Sequence, residues 1–224
     1  MAQPNNVSVI ALRCLPLFAG VPPENLEPIA KVSMLRRVGR GTTVVMAGDS
    51  TDFVYIVLAG SLKVLVNDEE GREVILSILG PGELFGEMGV VDDNPRSASV
   101  VAAIPSDLVV ISKSDFKRCM QENFDISLFI MRNLAHRLRV ADRKIESLAL
   151  LDVYGRVARL LLDSAEKING ELVVVKKISK QDIAKMIGAS REMVSRVMKD
   201  LALQGLIDES SGRVVLKENI GSVG

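Results

Sequence analysis

Between about Gly41 and Ser114 the chain consists of short apolar runs separated by glycine and polar turn residues. The run FVYIVLAGSLKVLV is interrupted at Ala59-Gly60, and the acidic turn Asn67–Gly71 separates it from REVILSIL. The runs SASVVAAI and DLVVIS follow. Short strands with turn signals at intervals of roughly 8–12 residues are typical of an antiparallel sandwich or barrel. The flanking stretches PPENLEPIAKVS and KSDFKRCMQEN predict helices.

From about Phe124 the apolar positions change to a helical spacing. They alternate between steps of three and four residues on a stretch that is otherwise charged: Met131, Leu134, Leu138, Ala141, Ile145 and Leu148. Such steps define the a and d positions of a coiled coil. The pattern favours a long helix that pairs with a second copy of the chain, so we expect a homodimer. The alternative is a helix that lies on the core of its own domain.

The last 75 or so residues predict a second, smaller domain. Leu150 to Lys167 has the spacing of an amphipathic helix, ELVVVKKI predicts a strand, and GRVVLKENI predicts a terminal hairpin strand. SKQDIAKMIGASREMVSRVMKDLALQGLI predicts two helices around a turn at Gly188-Ala189. Ser179 and Ser190 are expected to cap these helices, because a serine hydroxyl accepts from an early backbone N–H. This is the layout of a helix-turn-helix.

The first residues of the second helix carry the chemistry for reading DNA. In a helix-turn-helix these residues meet base edges in the major groove. Arg191 and Arg196 can each pair with guanine, and Glu192 can accept from a cytosine amino group. Lys199 and the pair Lys176-Lys177 suit phosphates. The remaining predicted DNA-binding residues are Lys180, Ser190 and Ser195. The alternative is a small helical cap with solvated charges.

Composition and charge narrow the classes of function. Of 224 residues, 28 are Lys or Arg and 28 are Asp or Glu, which excludes a uniformly basic surface but not a local basic patch. Cys14 and Cys119 fit no metal or redox motif, so we expect free thiols and no metal site. Neither a signal peptide nor an apolar run of 18 residues is present, which predicts a cytoplasmic protein without membrane contact. The single histidine, His136, offers no catalytic set, so we expect no enzyme.

Three motifs, in this order, carry a resemblance to a known family: GELFGEMG followed by RSA, LALLDVYGRVARLLL, and SREMVSRVMKDL. With them the chain resembles the CRP/FNR family of bacterial transcription regulators from about Leu15 to Leu216. The resemblance implies an α+β fold with three parts. These are an N-terminal antiparallel β-roll (the jelly-roll, cyclic-nucleotide-binding fold) over residues 1–126, a long dimerisation helix over 127–150, and a C-terminal winged helix-turn-helix over 151–224.

The resemblance also implies partners. A homodimer is expected to bind a palindromic, TGTGA-like operator in double-stranded DNA through Arg191, Glu192 and Arg196, and RNA polymerase is expected as a further partner. Ser195 stands where the corresponding subgroup often has glycine. The rival class is a regulatory subunit or channel-type module that acts on a protein partner, and the helix-turn-helix argues against it.

The stretch GELFGEMGVVDDNPRSA has the chemistry of a phosphate and ribose site. Backbone N–H groups at a helix start, from Gly86, Glu87 and Met88, suit a phosphate, as do the Arg96 guanidinium and the Ser97 hydroxyl. The Glu87 carboxylate can accept from a ribose hydroxyl. The resemblance implies the same roles, so we expect a cyclic nucleotide as effector. The alternative is a family member that has lost its ligand.

The identity of the base depends on two residues of the long helix. By the resemblance, the positions that meet adenine in the cAMP-responsive type are Ala141 and Asp142. Ala141 offers no side-chain hydrogen bond, and an ionised Asp142 only accepts. An acceptor suits the amino group of adenine and also the N1 and N2 hydrogens of guanine. The leading ligand is therefore cAMP, and cGMP and cyclic di-GMP remain alternatives.

Other sensors of the family fit less well. An iron–sulfur cluster needs four cysteine ligands and the chain has two cysteines, while a haem needs an axial ligand that a lone His136 within the long helix does not suit. The predicted mechanism is a ligand-driven population shift between two packings of the paired helices, with Leu138, Ala141 and Ile145 beside the base.

Overall fold

The computed structural model describes residues 7–175, 178–209 and 213–217. The chain divides into two compact units, one ending at His136 and the other beginning at Arg137. In the first unit, the described residues form a β-roll with helices before and after it. Its strands are β1 (Met34–Val38), β2 (Thr43–Val45), β3 (Phe53–Ala59), β4 (Leu62–Asn67), β5 (Glu73–Leu79), β6 (Leu84–Phe85), β7 (Ser99–Ala102) and β8 (Ser106–Ser112).

The helices of this unit flank the strands or interrupt them. They are α1 (Val9–Arg13), a 3₁₀ turn (Pro16–Phe18), α2 (Pro23–Val32), α3 (Met88–Val91), α4 (Lys113–Glu122) and the first part of α5 (Phe124–Leu150). The helices that the sequence predicts before and after the strands correspond to α2 and α4.

Two antiparallel sheets form the roll, with strand orders β1-β8-β3-β6 and β2-β7-β4-β5. Side chains from both sheets meet in one core, where Val57, Leu62 and Leu108 are fully buried. The break predicted at Ala59-Gly60 is the turn between β3 and β4, where Gly60 has φ +101°. The antiparallel β-roll expected from the sequence is confirmed.

A second core lies on the other side of β3, because successive side chains of a strand point to opposite faces. Val54 and Ile56 pack there with Leu26 of α2, Phe116 of α4 and Ile130 of α5. Burying each such side chain contributes about 1.5–3 kcal/mol. This core holds the helices against the sheet.

The second unit is a winged helix-turn-helix, as the sequence predicts. It contains α6 (Val153–Asp163), β9 (Ala165–Ile168), β10 (Glu171–Val174), α7 (Lys180–Ile187), α8 (Arg191–Leu203), β11 (Ile207–Asp208) and β12 (Val214–Leu216), with strand order β11-β12-β10-β9. Val157, Val194 and Leu201 are fully buried in its core.

The sequence predicts that the amphipathic helix runs to Lys167, and this predicted end is wrong. α6 stops at Asp163, and Ala165–Ile168 pairs with β10 as β9. Asn169 and Gly170, at φ +50° and +91°, connect the two strands. Asn-Gly is the preferred turn of a two-residue hairpin, because both central residues need positive φ. This local signal outweighs the helical spacing of the preceding residues.

Both cysteines are free: Cys14 is exposed and Cys119 is buried. Burial raises the pKa of the Cys119 thiol to about 11. Over the described part of the chain, no helix is long and apolar enough to cross a membrane.

Candidate functional site

The end of β6 forms a cradle that one arginine fills. Gly86 follows β6 with φ +82°, and Glu87 is the N-cap residue of α3. Arg96 donates from Nη1 to the carbonyl oxygen of Gly86 at 2.9 Å and from Nη2 to that of Phe53 at 2.6 Å. A Cβ atom at position 86 would collide with Arg96 Nη1 and would be strained at this φ, so the geometry favours glycine there.

The guanidinium of Arg96 is a buried cation with hydrogen-bonding capacity left over. Arg96 is only 8% exposed, and its Cζ lies 5.9 Å from the ring centroid of Tyr55, which stacks on Phe85. Burial lowers the pKa of Arg96, while Tyr55, Asp52 and Glu87 act in the opposite direction; an arginine nevertheless stays protonated. Its Nε has no hydrogen-bond partner among the residues that the structure describes.

The sequence-predicted phosphate and ribose residues are brought together at this cradle. Glu87 is 1% exposed and acts electrostatically on Arg96. Met88 and Ser97 are exposed, and the Ser97 hydroxyl lies 4.0 Å from the Met88 sulfur. A buried carboxylate, a buried guanidinium and an exposed hydroxyl therefore surround the start of α3.

A cavity of about 240 Å³ opens against Arg96. Its other lining residues come from β2, β3 and the loop between them: Val44, Val45, Asp49, Ser50, Asp52, Phe53 and Tyr55. That loop is joined to Arg96 through the backbone, because Gly48 N–H donates to Arg96 O and Arg96 N–H donates to Asp49 O, both at 2.9 Å. These lining residues are not among those predicted from the sequence, where the available signal was the glycine turn before a buried apolar run.

The loop between α3 and Arg96 is tied to α4. Asp93 has φ +57°, and its Oδ1 lies 2.7 Å from Lys113 Nζ and 3.0 Å from Lys117 Nζ. Hydrogen bonds from these two lysines lower the pKa of Asp93 to about 2. Nearby, the Thr51 hydroxyl donates to the Asn94 carbonyl at 3.2 Å.

In the second unit, α7 and α8 have the two predicted caps. The Ser179 hydroxyl accepts from Asp182 N–H and the Ser190 hydroxyl accepts from Met193 N–H, each at 3.1 Å. Gly188 ends α7 in the left-handed conformation, φ +65° and ψ +49°. Glycine adopts this conformation without a Cβ penalty, so α8 starts in a new direction after a short turn.

The polar residues predicted to meet DNA lie along α8 and at the start of α7. Arg191, Glu192, Arg196 and Lys199 are exposed, Ser190 is exposed at the cap, and Ser195 is half-buried, whereas Val194, Val197, Met198 and Leu201 are buried. Lys180 is half-buried, with its ammonium 3.7 Å from a Glu209 carboxylate oxygen. The predicted phosphate contacts Lys176 and Lys177 lie outside the described residues.

The apolar row on α5 is exposed along most of its length. Met131, Leu138, Ile145 and Leu148 are between 52% and 65% exposed. Leu134 is half-buried and packs against the core of the first unit. Ala141 and Asp142, predicted to meet the base, are exposed on the part of α5 that belongs to the second unit.

Lys144, a charged residue of α5, is half-buried. Burial lowers the pKa of Lys144, and the charge of Asp163 on α6 opposes that effect. Within the described ranges, no group of three or more His, Cys, Asp or Glu side chains is placed to hold a metal ion.

Comparison with known families matches both units. Residues 35–123 match the family described as Cyclic nucleotide-binding domain, and residues 155–218 match the Crp-like helix-turn-helix domain.

Comparison with individual proteins covers most of the chain. The cAMP-activated global transcriptional regulator Vfr of Pseudomonas aeruginosa is 37% identical over 179 residues, which cover 77% of this chain and 84% of Vfr. A CRP-like cAMP-activated global transcriptional regulator of Mycobacterium tuberculosis is 31% identical over 207 residues, covering 91% of this chain and 92% of that protein. The solved structure of the c-di-GMP responsive global regulator CLP of Xanthomonas campestris has a TM-score of 0.71 and 29% identity, covering 87% of this chain and 99% of CLP.

These relatives are transcription regulators, and the two matched domains correspond to the roll and the helix pair. The chain therefore belongs to the CRP/FNR family of DNA-binding transcription regulators and is not an enzyme.

Proposed function

We propose that the chain is a homodimeric transcription regulator whose affinity for a palindromic, TGTGA-like operator is set by a cyclic nucleotide bound in the β-roll, with cAMP as the first candidate. The observation that carries the proposal is the buried guanidinium of Arg96 beside Gly86 and Glu87. A buried cation that is not saturated by its protein neighbours is a site for an anion.

The donors of Arg96 suit a singly charged cyclic phosphate. An arginine has five N–H donors. Two of them are used on the carbonyl oxygens of Gly86 and Phe53, which leaves Nε–H and one further N–H on each Nη. Charge-assisted hydrogen bonds to phosphate are roughly twice as strong as neutral ones. The Ser97 hydroxyl and the N–H groups of Glu87 and Met88 supply additional donors.

Glu87 complements the phosphate donors with an acceptor. Its carboxylate is 1% exposed, so water competes little for a hydrogen bond from a ribose 2′-hydroxyl. A phosphate on one side and a ribose hydroxyl on the other are the recognition elements that all cyclic mononucleotides share. This part of the site therefore recognises the class of ligand and not its base.

We assign recognition of the base to Asp142, with Ala141 beside it. The names of Vfr and the Mycobacterium relative describe them as cAMP-activated, whereas CLP is described as c-di-GMP responsive. The cavity of about 240 Å³ is lined by Arg96 and not by Glu87 or Asp142, so its volume does not distinguish among the nucleotides. The second candidates are the guanine nucleotides cGMP and cyclic di-GMP, supported by the acceptor character of Asp142, which suits the guanine N1 and N2 hydrogens.

DNA recognition is assigned to the first half of α8. Arg191, Glu192 and Arg196 are exposed on a helix whose opposite side is buried in the core. Each bidentate pair between a side chain and a base is worth about 1–3 kcal/mol of discrimination. Lys180, Ser190, Ser195 and Lys199 are assigned to the phosphate backbone, where contacts fix register without reading sequence.

Dimerisation is assigned to the apolar row of α5. An isolated chain exposes four large apolar side chains there, each by more than half. Pairing with the same row of a second copy would remove them from water and place two recognition helices on half-sites about 34–36 Å apart. RNA polymerase is a further partner in this proposal.

We assign the control of operator affinity by the ligand to a population shift between two packings. A nucleotide that binds one packing of the paired α5 helices more tightly than the other favours that packing, by as much as its affinities differ. Leu138, Ala141 and Ile145 are the proposed residues of the element with two packings.

Titration calorimetry with cAMP, cGMP and cyclic di-GMP tests the ligand assignment. We expect saturable binding of cAMP that is lost in Arg96→Leu. The control is Arg72→Gln, which removes an exposed arginine from the β4–β5 turn and should leave binding unchanged. Absence of binding by all three nucleotides would contradict the ligand half of the proposal.

Fluorescence anisotropy with a labelled TGTGA palindrome tests the DNA half. We expect tighter binding to the palindrome than to a scrambled duplex, and a change in that affinity when the nucleotide is added. Equal affinity for both duplexes contradicts direct readout. An unchanged affinity with nucleotide bound contradicts the coupling and favours a ligand-independent DNA binder.

A further inference from the structure

The segment that delivers Arg96 to the cradle is held by one carboxylate between two lysines. The Asp93 carboxylate is bridged to Lys113 and Lys117, which lie one helical turn apart on α4. Lysines spaced i and i+4 lie on the same face of a helix, so a single oxygen can meet both. Asp93 and Arg96 belong to the same short loop between α3 and β7. Any movement of this loop away from α4 breaks both ion pairs.

Lys113 also holds the second segment that orients the guanidinium. Its backbone N–H donates to Asp52 O at 2.8 Å. The next residue, Phe53, provides the carbonyl that accepts from Arg96 Nη2 at 2.6 Å. The main chain of Lys113 thus fixes one acceptor of Arg96, and its side chain fixes the loop that carries Arg96.

The charge of Asp93 is separable from its backbone role. Asp93 has φ +57°, a conformation that Asp and Asn both tolerate better than other residues with a Cβ. The turn around it has supports of its own, because Asn94 N–H donates to Asp92 Oδ1 at 3.1 Å and Thr51 donates to Asn94 O. Asparagine at position 93 keeps these features and removes the charge that attracts the two lysines, together with its repulsion of the Asp92 carboxylate.

We propose that Asp93, Lys113 and Lys117 form a charged clamp that positions Arg96 for the phosphate of the ligand, with Asp93 acting as a positioning residue that does not touch the ligand. The inference rests on the proposed nucleotide binding. A loop held in its bound conformation before the ligand arrives lowers the ordering cost of binding. Loss of the clamp therefore weakens affinity without removing any ligand contact.

The first test is calorimetric titration of Asp93→Asn with cAMP. Solvent-exposed ion pairs contribute little individually, so we expect Kd to rise about threefold to tenfold at low salt. Because salt screens the clamp, the difference from the wild type should shrink at 1 M salt. The matched control is Glu70→Gln, which removes an exposed carboxylate 3.4 Å from Arg72 on the same unit and should leave Kd unchanged. An unchanged Kd in Asp93→Asn overturns the proposal.

A variant without the two lysines distinguishes loss of the clamp from a structural effect of Asp93→Asn on the turn. Lys113→Met together with Lys117→Met keeps side chains of similar length and removes both cations. If Asp93 acts through these lysines, Asp93→Asn has no further effect on Kd in that background, as a double-mutant cycle measures. A full additional loss there would assign the effect to the turn and overturn the clamp.

Amide hydrogen exchange of the ligand-free protein tests the clamp without any nucleotide. The N–H groups of Arg96 and Gly48 both hydrogen-bond across the loop, to Asp49 O and Arg96 O. Both should exchange faster in Asp93→Asn than in the wild type or in Glu70→Gln. Faster exchange in a protein that binds none of the nucleotides supports the clamp and contradicts the proposed function. Unchanged exchange overturns the clamp whether or not cAMP binds.

Discussion

At the scale of single residues, Gly86 and Arg96 depend on each other. Gly86 has positive φ, which favours glycine, and the space that its missing Cβ leaves is filled by Arg96 Nη1. The carbonyl of the same glycine accepts from that nitrogen. One residue therefore provides the turn, the space and an acceptor for the side chain that we assign to the phosphate.

Gly86→Ala should weaken cyclic-nucleotide binding about tenfold or more, because the methyl group displaces the guanidinium and its charge-assisted bonds. Gly71→Ala is the control: it has φ +77° but no atom within 4 Å of its Cβ position. It should cost about 1–2 kcal/mol of stability and leave affinity intact. Chemical denaturation and calorimetry measure the two quantities. Equal nucleotide affinities in the two variants would show that the close approach at Gly86 is unimportant.

Arg191→Ala or Arg196→Ala should cost about 1–3 kcal/mol on the TGTGA palindrome and much less on scrambled DNA. Lys199→Ala, assigned to a phosphate, should weaken binding to both duplexes alike and reduce the salt slope by about one. Anisotropy titrations over a range of salt distinguish the two behaviours. An equal loss on both duplexes for the arginines would assign them to the DNA backbone.

At the scale of elements, the sequence predicts those strands whose apolar runs are bounded by strong turns. β3 and β4 are found where FVYIVLAGSLKVLV breaks at its glycine. β1 escapes prediction because in MLRRV only Val38 is buried, so its apolar pattern is weak. The sequence predicts a helix over β9 because its residues continue the spacing of α6, and the Asn169-Gly170 turn decides against that helix.

The residues of the candidate site also differ in whether the sequence predicts them. Glu87 and Arg96-Ser97 lie in one short stretch with recognisable chemistry, and the structure brings them together. Tyr55 and Asp49 are distant from that stretch in sequence. They reach Arg96 through a ring contact and a backbone hydrogen bond, which no local pattern encodes.

The apolar row of α5 leads to a prediction about the dimer interface. Leu138→Glu puts a charge into a paired seam and should convert the dimer to a monomer, with a large loss of affinity for the palindrome. Ala149→Glu, at an exposed position of α5 outside the row, is the control and should remain dimeric. Sedimentation velocity gives the oligomeric state. A Leu138→Glu variant that stays dimeric would place the interface elsewhere.

At the scale of the whole molecule, one continuous helix contributes residues to both compact units, since α5 runs from Phe124 to Leu150 and the units meet in sequence after His136. The proposed ligand site belongs to the first unit and the proposed DNA-binding residues to the second. If the two sites are coupled, the coupling free energy is the same in both directions.

Saturating operator should therefore change the Kd for cAMP by the same factor by which cAMP changes the Kd for operator. Couplings of this kind are typically about 5- to 150-fold. Calorimetry with and without operator gives one factor, and anisotropy with and without cAMP gives the other. Scrambled duplex is the control. A Kd for cAMP that saturating operator leaves unchanged would show that the two sites are not coupled.

The placement of Tyr55 under Arg96 makes the chain its own optical probe. The sequence has no tryptophan and two tyrosines, and the second, Tyr154, belongs to α6 in the other unit. In Tyr154→Phe the ring beside the phosphate cradle is the sole remaining tyrosine. Its near-ultraviolet circular dichroism and its emission then report on the surroundings of one guanidinium, without a dye or a labelled ligand.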